Sequence, residues 1–346
     1  MEKHPPPLSL SQMSATSGHH SSSMSKRAAD SEPSDSARPS KRARFGTVQE
    51  EDLAFVELNG LSLRHVKNQT PEICLAAVQQ NASALMYVEQ QTPQICLAAL
   101  TRNGMTLEFV KEQTPEICLA AVTQNGDALR HVREQTPEIC LAAVNQEGKA
   151  LKYVKEQTPE ICLAAVNQEG MALEFVKDRT PELCRAAVKQ TSWALRYVDD
   201  QPADLCLDAM KEDGSALLYV KNQTPEICLA AVRNFGSALK HVKEQTPELC
   251  LAAVKQDPLA LRYVSEQTPE ICLAAVSAYG CALEFVWEQT PEICLAAVKQ
   301  SRRALFYVEK PTVEMRLTAV EKDGEAIVPV EQTTPEIRDA AKSITE

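Results

Sequence analysis

A ten-residue string, Gln-Thr-Pro-Glu-Ile-Cys-Leu-Ala-Ala-Val with small variations, recurs with its Thr at 70, 92, 114, 136, 158, 180, 224, 246, 268 and 290. The step is 22 residues, with one double step of 44 in which Pro202 takes the Thr position. A fixed period of this length marks a repeat array, in which no unit can bury its apolar face without neighbours. That excludes a conventional single-core domain for most of the chain.

Each copy carries the signals of a helix start. In the first, Thr70 suits an N-cap, Pro71 the first helical position, and Glu72 the positive end of the helix dipole. Ile73 to Val78 follow as an apolar run, which predicts a helix of about three turns ending near Gln80. Gly104, Gly126, Gly148, Gly170, Gly214, Gly236, Gly280 and Gly324 fall twelve residues after the Thr position, where Gly is expected to end the helix in a left-handed conformation. A shorter segment such as Ala128-Leu129-Arg130-His131-Val132 then gives a second helical stripe. The expected fold is all-α, an α/α solenoid of about 13 two-helix repeats of 22 residues. A leucine-rich repeat is excluded, because no residue alternation of a short strand appears.

The ends of the array differ from its middle. Glu51 and Asp52 stand where inner units have Ile and Cys, while Arg316 and Arg338 replace Cys and Pro329 replaces an aromatic residue. Polar terminal units close the open faces of such an array. The expected division is a tail over 1–47, an N-terminal capping repeat over 48–69, the array over 70–311 and C-terminal capping repeats over 312–346.

With aromatics at only 5% of the 346 residues, the core must be built from Leu, Val, Ile, Ala and Cys. No apolar run approaches the roughly 20 residues needed to span a bilayer, and the opening residues lack a secretory-type apolar segment, so the chain reads as soluble without a membrane partner. Residues 1–47 hold seven Lys or Arg and four Asp or Glu; the remainder holds 29 and 43, a net of −14. Such an array repels nucleic-acid phosphates unless one face is locally basic.

Eleven of the twelve cysteines (Cys74, Cys96, Cys118, Cys140, Cys162, Cys184, Cys206, Cys228, Cys250, Cys272 and Cys294) share one register position. Stacked helices stand about 8–10 Å apart, beyond the roughly 7 Å that a disulfide bridges. With no Cys-x-x-Cys pair and no nearby His, zinc is not expected either. These residues read as a buried ladder of free thiols, which suits cytosol or nucleus. No catalytic group, cofactor or metal is expected: the chain has no Gly-rich phosphate loop and no nucleophile with a neighbouring base.

Variation between units is concentrated at a few positions. The thirteenth residue after Thr includes Met105, Lys149, Met171, Trp193 and Arg303; the sixteenth includes Glu108, Lys152, Glu174, Arg196 and Phe306. Spaced i,i+3 on one face, these residues together with Trp287 form a candidate partner-contact stripe. A solvated face is the alternative, supported by possible i,i+4 ion pairs such as Arg130–Glu134, Lys152–Glu156, Arg196–Asp200, Lys240–Glu244 and Arg262–Glu266. Exposure of Trp193, Trp287 and Phe306 would favour binding. The seventeenth position is aromatic or His in every unit from His65 to Tyr307, and is expected to form a half-buried ladder.

The first 47 residues are Ser-rich, contain Pro5-Pro6-Pro7 and show no apolar periodicity, so they are expected to be disordered. Lys26-Arg27 and Lys41-Arg42-Ala43-Arg44 resemble a nuclear localisation signal, with Lys26, Arg27, Lys41, Arg42 and Arg44 as its charges. An importin-type receptor is the partner that such a signal implies.

The unit as a whole resembles a tandem repeat family described only as a domain of unknown function, found in large DNA viruses and in bacteria associated with eukaryotic cells. The resemblance implies a helical array and assigns no catalytic or binding residue. Together with the basic clusters it implies a directed effector in the nucleus of a eukaryotic cell such as a host, with the cytoplasm as the alternative location. The expected role is a non-enzymatic scaffold for a protein partner. The alternative is a modular reader of nucleic acid through the variable positions, which the acidic charge disfavours.

Overall fold

The computed structural model describes residues 48–321 and Pro335. The expected disordered tail, including Lys26, Arg27, Lys41, Arg42 and Arg44, lies outside the described residues, as does most of the last expected capping repeat. The protein is an all-α solenoid with a 22-residue period, and no strand occurs among the described residues.

One unit serves for all. Thr114 adopts extended backbone and its hydroxyl accepts from the Ile117 amide at 3.3 Å, capping an α-helix over Pro115–Gln124 that begins with proline. Ile117, Cys118, Ala121 and Val122 are buried on one side of this helix. A second helix over Gly126–His131 buries Ala128 and Leu129, and Val132 after it is buried too. Each α-helix packs on the α-helix of the next unit, and each second helix on the next second helix. The result is one continuous apolar core from Val56 to Ala319. At the start of the array, Glu51 is exposed and Asp52 half-buried in the places that inner units fill with buried Ile and Cys.

Two expectations about the local structure are corrected. The second helix is a 3-10 helix of six residues, closed when the Val132 amide donates to the Leu129 carbonyl. Six residues are too few to sustain an isolated α-helix, whereas 3-10 turns are common in short pieces. The backbone leaves the helix before residue i+4, so none of the five i,i+4 ion pairs forms. Lys152 instead reaches Asp127 of the preceding unit at 3.2 Å.

The second correction concerns the glycines. Among the described residues none of these glycines has a positive φ, and Gly324 lies outside them; the helix ends one residue earlier, at an extended residue such as Asn125 (φ −150°, ψ 113°). Glycine is required by a close approach instead. A Cβ on Gly126 would lie 2.7 Å from the Ala143 carbonyl oxygen of the next unit. The bare backbone lets the Gly126 amide donate to Gln146 Oε1 at 2.6 Å. The two residues change together along the chain. Every glycine at this position from Gly60 to Gly280 faces Gln, or Asn234, in the next unit; Ala82, Ser192 and Pro258 face Arg102, Glu212 and Ala278.

A second clamp joins successive turns. Gln135, one residue before the cap, donates from Nε2 to the Tyr153 carbonyl at 2.9 Å, and its Oε1 accepts from the Lys155 amide at 3.0 Å. The Cys140 thiol donates to the same oxygen at 3.7 Å. Nine of the eleven ladder cysteines, all but Cys184 and Cys206, are thus small buried side chains that also act as weak donors, which neither Ala nor Val could do. A third link comes from the nineteenth position, where Lys155 Nζ reaches the Arg133 carbonyl of the turn before.

All eleven ladder cysteines are free and buried, and Cys281, outside the ladder, is half-buried. Burial pushes each ladder thiol above its ordinary value of 9.0. As pH rises, the unfolded chain ionises first. The stability linked to these thiols is thus complete below about pH 9 and is lost as pH climbs through the higher folded values. The urea midpoint should hold steady from pH 7 to 8 and fall steeply by pH 10. At pH 7, iodoacetamide should label Cys281 well before any ladder thiol; even labelling of all twelve would contradict the buried ladder.

Candidate interaction face

The variable positions come together on the 3-10 side of the array. All eleven sixteenth residues, from Met86 to Phe306, are exposed at the ends of the 3-10 helices. At the thirteenth position, Lys149, Trp193 and Arg303 are exposed, whereas Met105 and Met171 are half-buried. Met105 packs against the core, so it contributes to stability more than to the surface.

Contacts between units tie these positions into one surface. Lys149 pairs with Glu169, and Tyr197 donates its hydroxyl to Glu174 Oε2 at 2.9 Å. Trp193 donates from its indole to Asp213 Oδ2 at 2.9 Å and packs edge-on against Tyr219, with centroids 5.4 Å apart. The Arg196 guanidinium lies 5.0 Å from the Tyr197 ring and 5.5 Å from the Tyr219 ring. Arg262 repeats this arrangement, 5.8 Å from Tyr263 and 4.4 Å from Phe285. The hydrogen bond from Lys149 to Glu169 holds the ammonium above its ordinary range.

The seventeenth residues form the expected half-buried ladder in the inner units, with His65 and Tyr307 more exposed at its two ends. Burial and the adjacent Arg130 push His131 down, and burial and Lys240 do the same to His241, which keeps both imidazoles neutral near pH 7.

Exposure on this side is uneven. Trp193 is 40% exposed and Phe306 is 68% exposed, and Leu218, Phe235, Tyr279 and Tyr307 are exposed between and beside them. In the units before Trp193, Met86 is the exposed large apolar residue at the variable positions. Phe235 and Tyr279 occupy the eleventh position, shared between the end of the α-helix and the cap of the 3-10 helix. Sequence reasoning passed over that position. Its signal was present: where Asn125 caps the 3-10 helix by accepting from the Asp127 amide, Phe235 and Tyr279 give up the cap and place a ring at the surface.

Trp287 does not join the stripe. It sits at the nineteenth position, where several other units place the lysine that reaches back, and is 62% exposed on the Gln-Thr-Pro edge. There it lines a cleft of about 320 Å³ with Gln267, Pro269, Cys272 and Thr290. Smaller clefts of the same build recur between other turns, such as the one lined by Gln135, Pro137, Cys140 and Ile161.

Among the described residues, no cluster of three or more His, Cys, Asp or Glu side chains could hold a metal ion, and no helix is long and apolar enough to cross a membrane. No curated protein and no solved structure matches the chain. Two overlapping stretches, residues 224–268 and 246–286, match a family described as a domain of unknown function, DUF4116, so the units around Thr246 are similar to that family.

Proposed function

We propose that the chain is a non-enzymatic helical-repeat scaffold that binds a protein partner through the 3-10 face of its units from Thr180 onward. The carrying observation is the concentration of exposed Trp193, Phe235, Tyr279 and Phe306 beside Arg196, Arg262 and Arg303 on that face. Trp, Tyr and Arg dominate the energetics of protein interfaces, and exposed apolar groups cost solubility unless they are used. Trp287 offers a separate contact on the Gln-Thr-Pro edge. The residues Met105, Glu108, Lys149, Lys152, Met171 and Glu174 belong to the earlier part of the stripe, which is the less apolar part.

The basic clusters at Lys26-Arg27 and Lys41-Arg42-Ala43-Arg44 extend the proposal to an importin-type receptor and to work in a eukaryotic nucleus. The family resemblance supports a host-directed origin for such an effector. A fluorescent fusion should accumulate in nuclei and become cytoplasmic when Lys41, Arg42 and Arg44 are changed to Ala; equal distribution of both would sink this part.

For the scaffold itself, a photoreactive residue at 193 or 306 of the full chain should crosslink to protein from a eukaryotic extract. The same probe at Glu160, on the first turn of an α-helix, should not. Equal crosslinking from all three positions would remove the proposed face. Retardation of random DNA or RNA pools at low salt would favour the modular nucleic-acid reader instead.

A further inference from the structure

The proposed face has a chemical preference that its apolar residues do not explain. Among the charged residues at its sixteenth position, Lys152 is neutralised by Asp127 and Glu174 accepts from Tyr197. Arg196 and Arg262 differ: each guanidinium lies against two rings, and neither has a carboxylate partner among the described residues. Arg262 Nε donates to the Leu259 carbonyl, which fixes the group further and leaves its terminal nitrogens for another acceptor. An arginine held by ring stacking and a backbone hydrogen bond has already lost side-chain freedom, so it binds an anion with little further ordering cost. Lys240, exposed at the same position of the unit before Arg262, adds a third cation.

Resting on the scaffold reading above, we infer that this face binds an extended acidic peptide segment whose carboxylates pair with Arg196, Lys240 and Arg262. The spacing sets the register. Adjacent units stand about 8–10 Å apart, and an extended chain advances roughly 3.3 Å per residue. One carboxylate at every third residue therefore meets successive units. Arg262 lies three units beyond Arg196, so a segment of about ten residues spans both. Trp193, Leu218 and Phe235 supply apolar contacts between the charges.

A peptide fits better than a nucleic acid. The guanidinia occupy the ring faces of Tyr219 and Phe285, so these rings are not open platforms for base stacking. Glu or Asp also recurs at the second residue after Thr in most units, from Glu72 to Glu314, and a long phosphate polymer would meet that field while a short segment would not.

The test uses the full chain and a fluorescein-labelled 13-residue peptide carrying Asp at every third position with Gly, Ser and Leu between. Fluorescence anisotropy should show it binding at least tenfold more tightly than the same peptide with Asn for Asp. Arg196→Gln with Arg262→Gln should weaken it at least tenfold, and Lys67→Gln, exposed on the Gln-Thr-Pro edge, by less than twofold. Arg196→Met with Arg262→Met serves as a second variant, since Met86 already occupies this position in another unit, and unchanged melting would show that the array is intact. Equal binding of the Asp and Asn peptides, no binding of either, or affinity untouched by the arginine variants overturns the inference. Tighter, arginine-dependent binding of oligothymidylate would also overturn it, in favour of single-stranded nucleic acid. If crosslinks from positions 193 and 306 persist while the Asp peptide fails, the partner class is wrong and the scaffold reading stands; loss of both removes the scaffold reading too.

Discussion

Replacing Gly126 with Ala should cost about 2–4 kcal/mol, read as a lower urea midpoint followed by circular dichroism. The new Cβ would lie 2.7 Å from the Ala143 carbonyl, 2.9 Å from Gln146 Oε1 and 3.0 Å from Glu147 Cβ. Two of these three neighbours are backbone or stem atoms that cannot swing aside. Overpacking of this kind costs about 1–3 kcal/mol, and pushing the units apart breaks the Gly126–Gln146 hydrogen bond, worth about 1 kcal/mol. The pairing of glycine with Gln or Asn along the chain makes a sharper claim. Gly126→Ala combined with Gln146→Ala should cost less than the sum of the two single changes, by about 0.5–3 kcal/mol, because the residues share one contact. Strict additivity, or a single cost below about 0.5 kcal/mol, would show that the close approach is not what requires glycine.

The two joints of the unit of Thr180, to the units of Thr158 and Pro202, should be the first part of the array to open. Each link found elsewhere is altered at one of these two joints, while Gln201 and Lys221 keep the clamp and the third link toward the unit of Pro202. Arg179 replaces the clamp glutamine and turns to the Leu173 and Glu174 carbonyls and to Asp199. Ser192 stands for glycine and donates its hydroxyl to the Ala209 carbonyl, facing Glu212 in place of Gln. Asp199 replaces the lysine of the third link, and Pro202 leaves its helix without a side-chain cap. On the helix flank, Arg185 replaces Leu and pairs with Asp204 at 2.8 Å, while Asp208 replaces Ala and holds Lys211. Both pairs are exposed, and exposed ion pairs contribute about 0–1 kcal/mol each. In an array whose stability is a sum over units and interfaces, the weakest interface sets where it divides.

Hydrogen exchange should therefore be fastest, among inner α-helices, at Pro181–Gln190 and Ala203–Glu212. Changing Arg179 to Gln, Arg185 to Leu, Pro202 to Thr and Asp208 to Ala restores the residues of the other units. That variant should gain about 2–4 kcal/mol: about 1 from the cap, with the rest from the clamp and the half-buried leucine. Uniform exchange along the array, or no gain from the fourfold change, would contradict the weak joints.

The legibility of the chain follows from the range of the interactions. Helix start signals are local, so Thr114, Pro115 and the apolar run that follows placed the start of the α-helix at its residue. The second helix was read as helical but of the wrong kind, because one stripe of Ala128, Leu129 and Val132 satisfies either helix. The glycines were misread for a different reason. A glycine after a helix has a familiar local use, while its use here depends on a carbonyl 17 residues further on. On the 3-10 face, the unit comparison found the sixteenth position. It missed the eleventh, where Phe235 and Tyr279 displace a capping side chain, and it placed Trp287 on the wrong edge.

By itself, then, the sequence determined the period, the helices, the buried thiol ladder and the positions free to vary, since each is set by neighbours within one turn or by strict repetition. Only the tertiary structure decided which side those free positions share, why Gln and Gly must change together, and where the array is weakest. Those facts belong to contacts between units. A repeating string names the residues that every unit contributes, but their pairing appears only when one unit is stacked on the next.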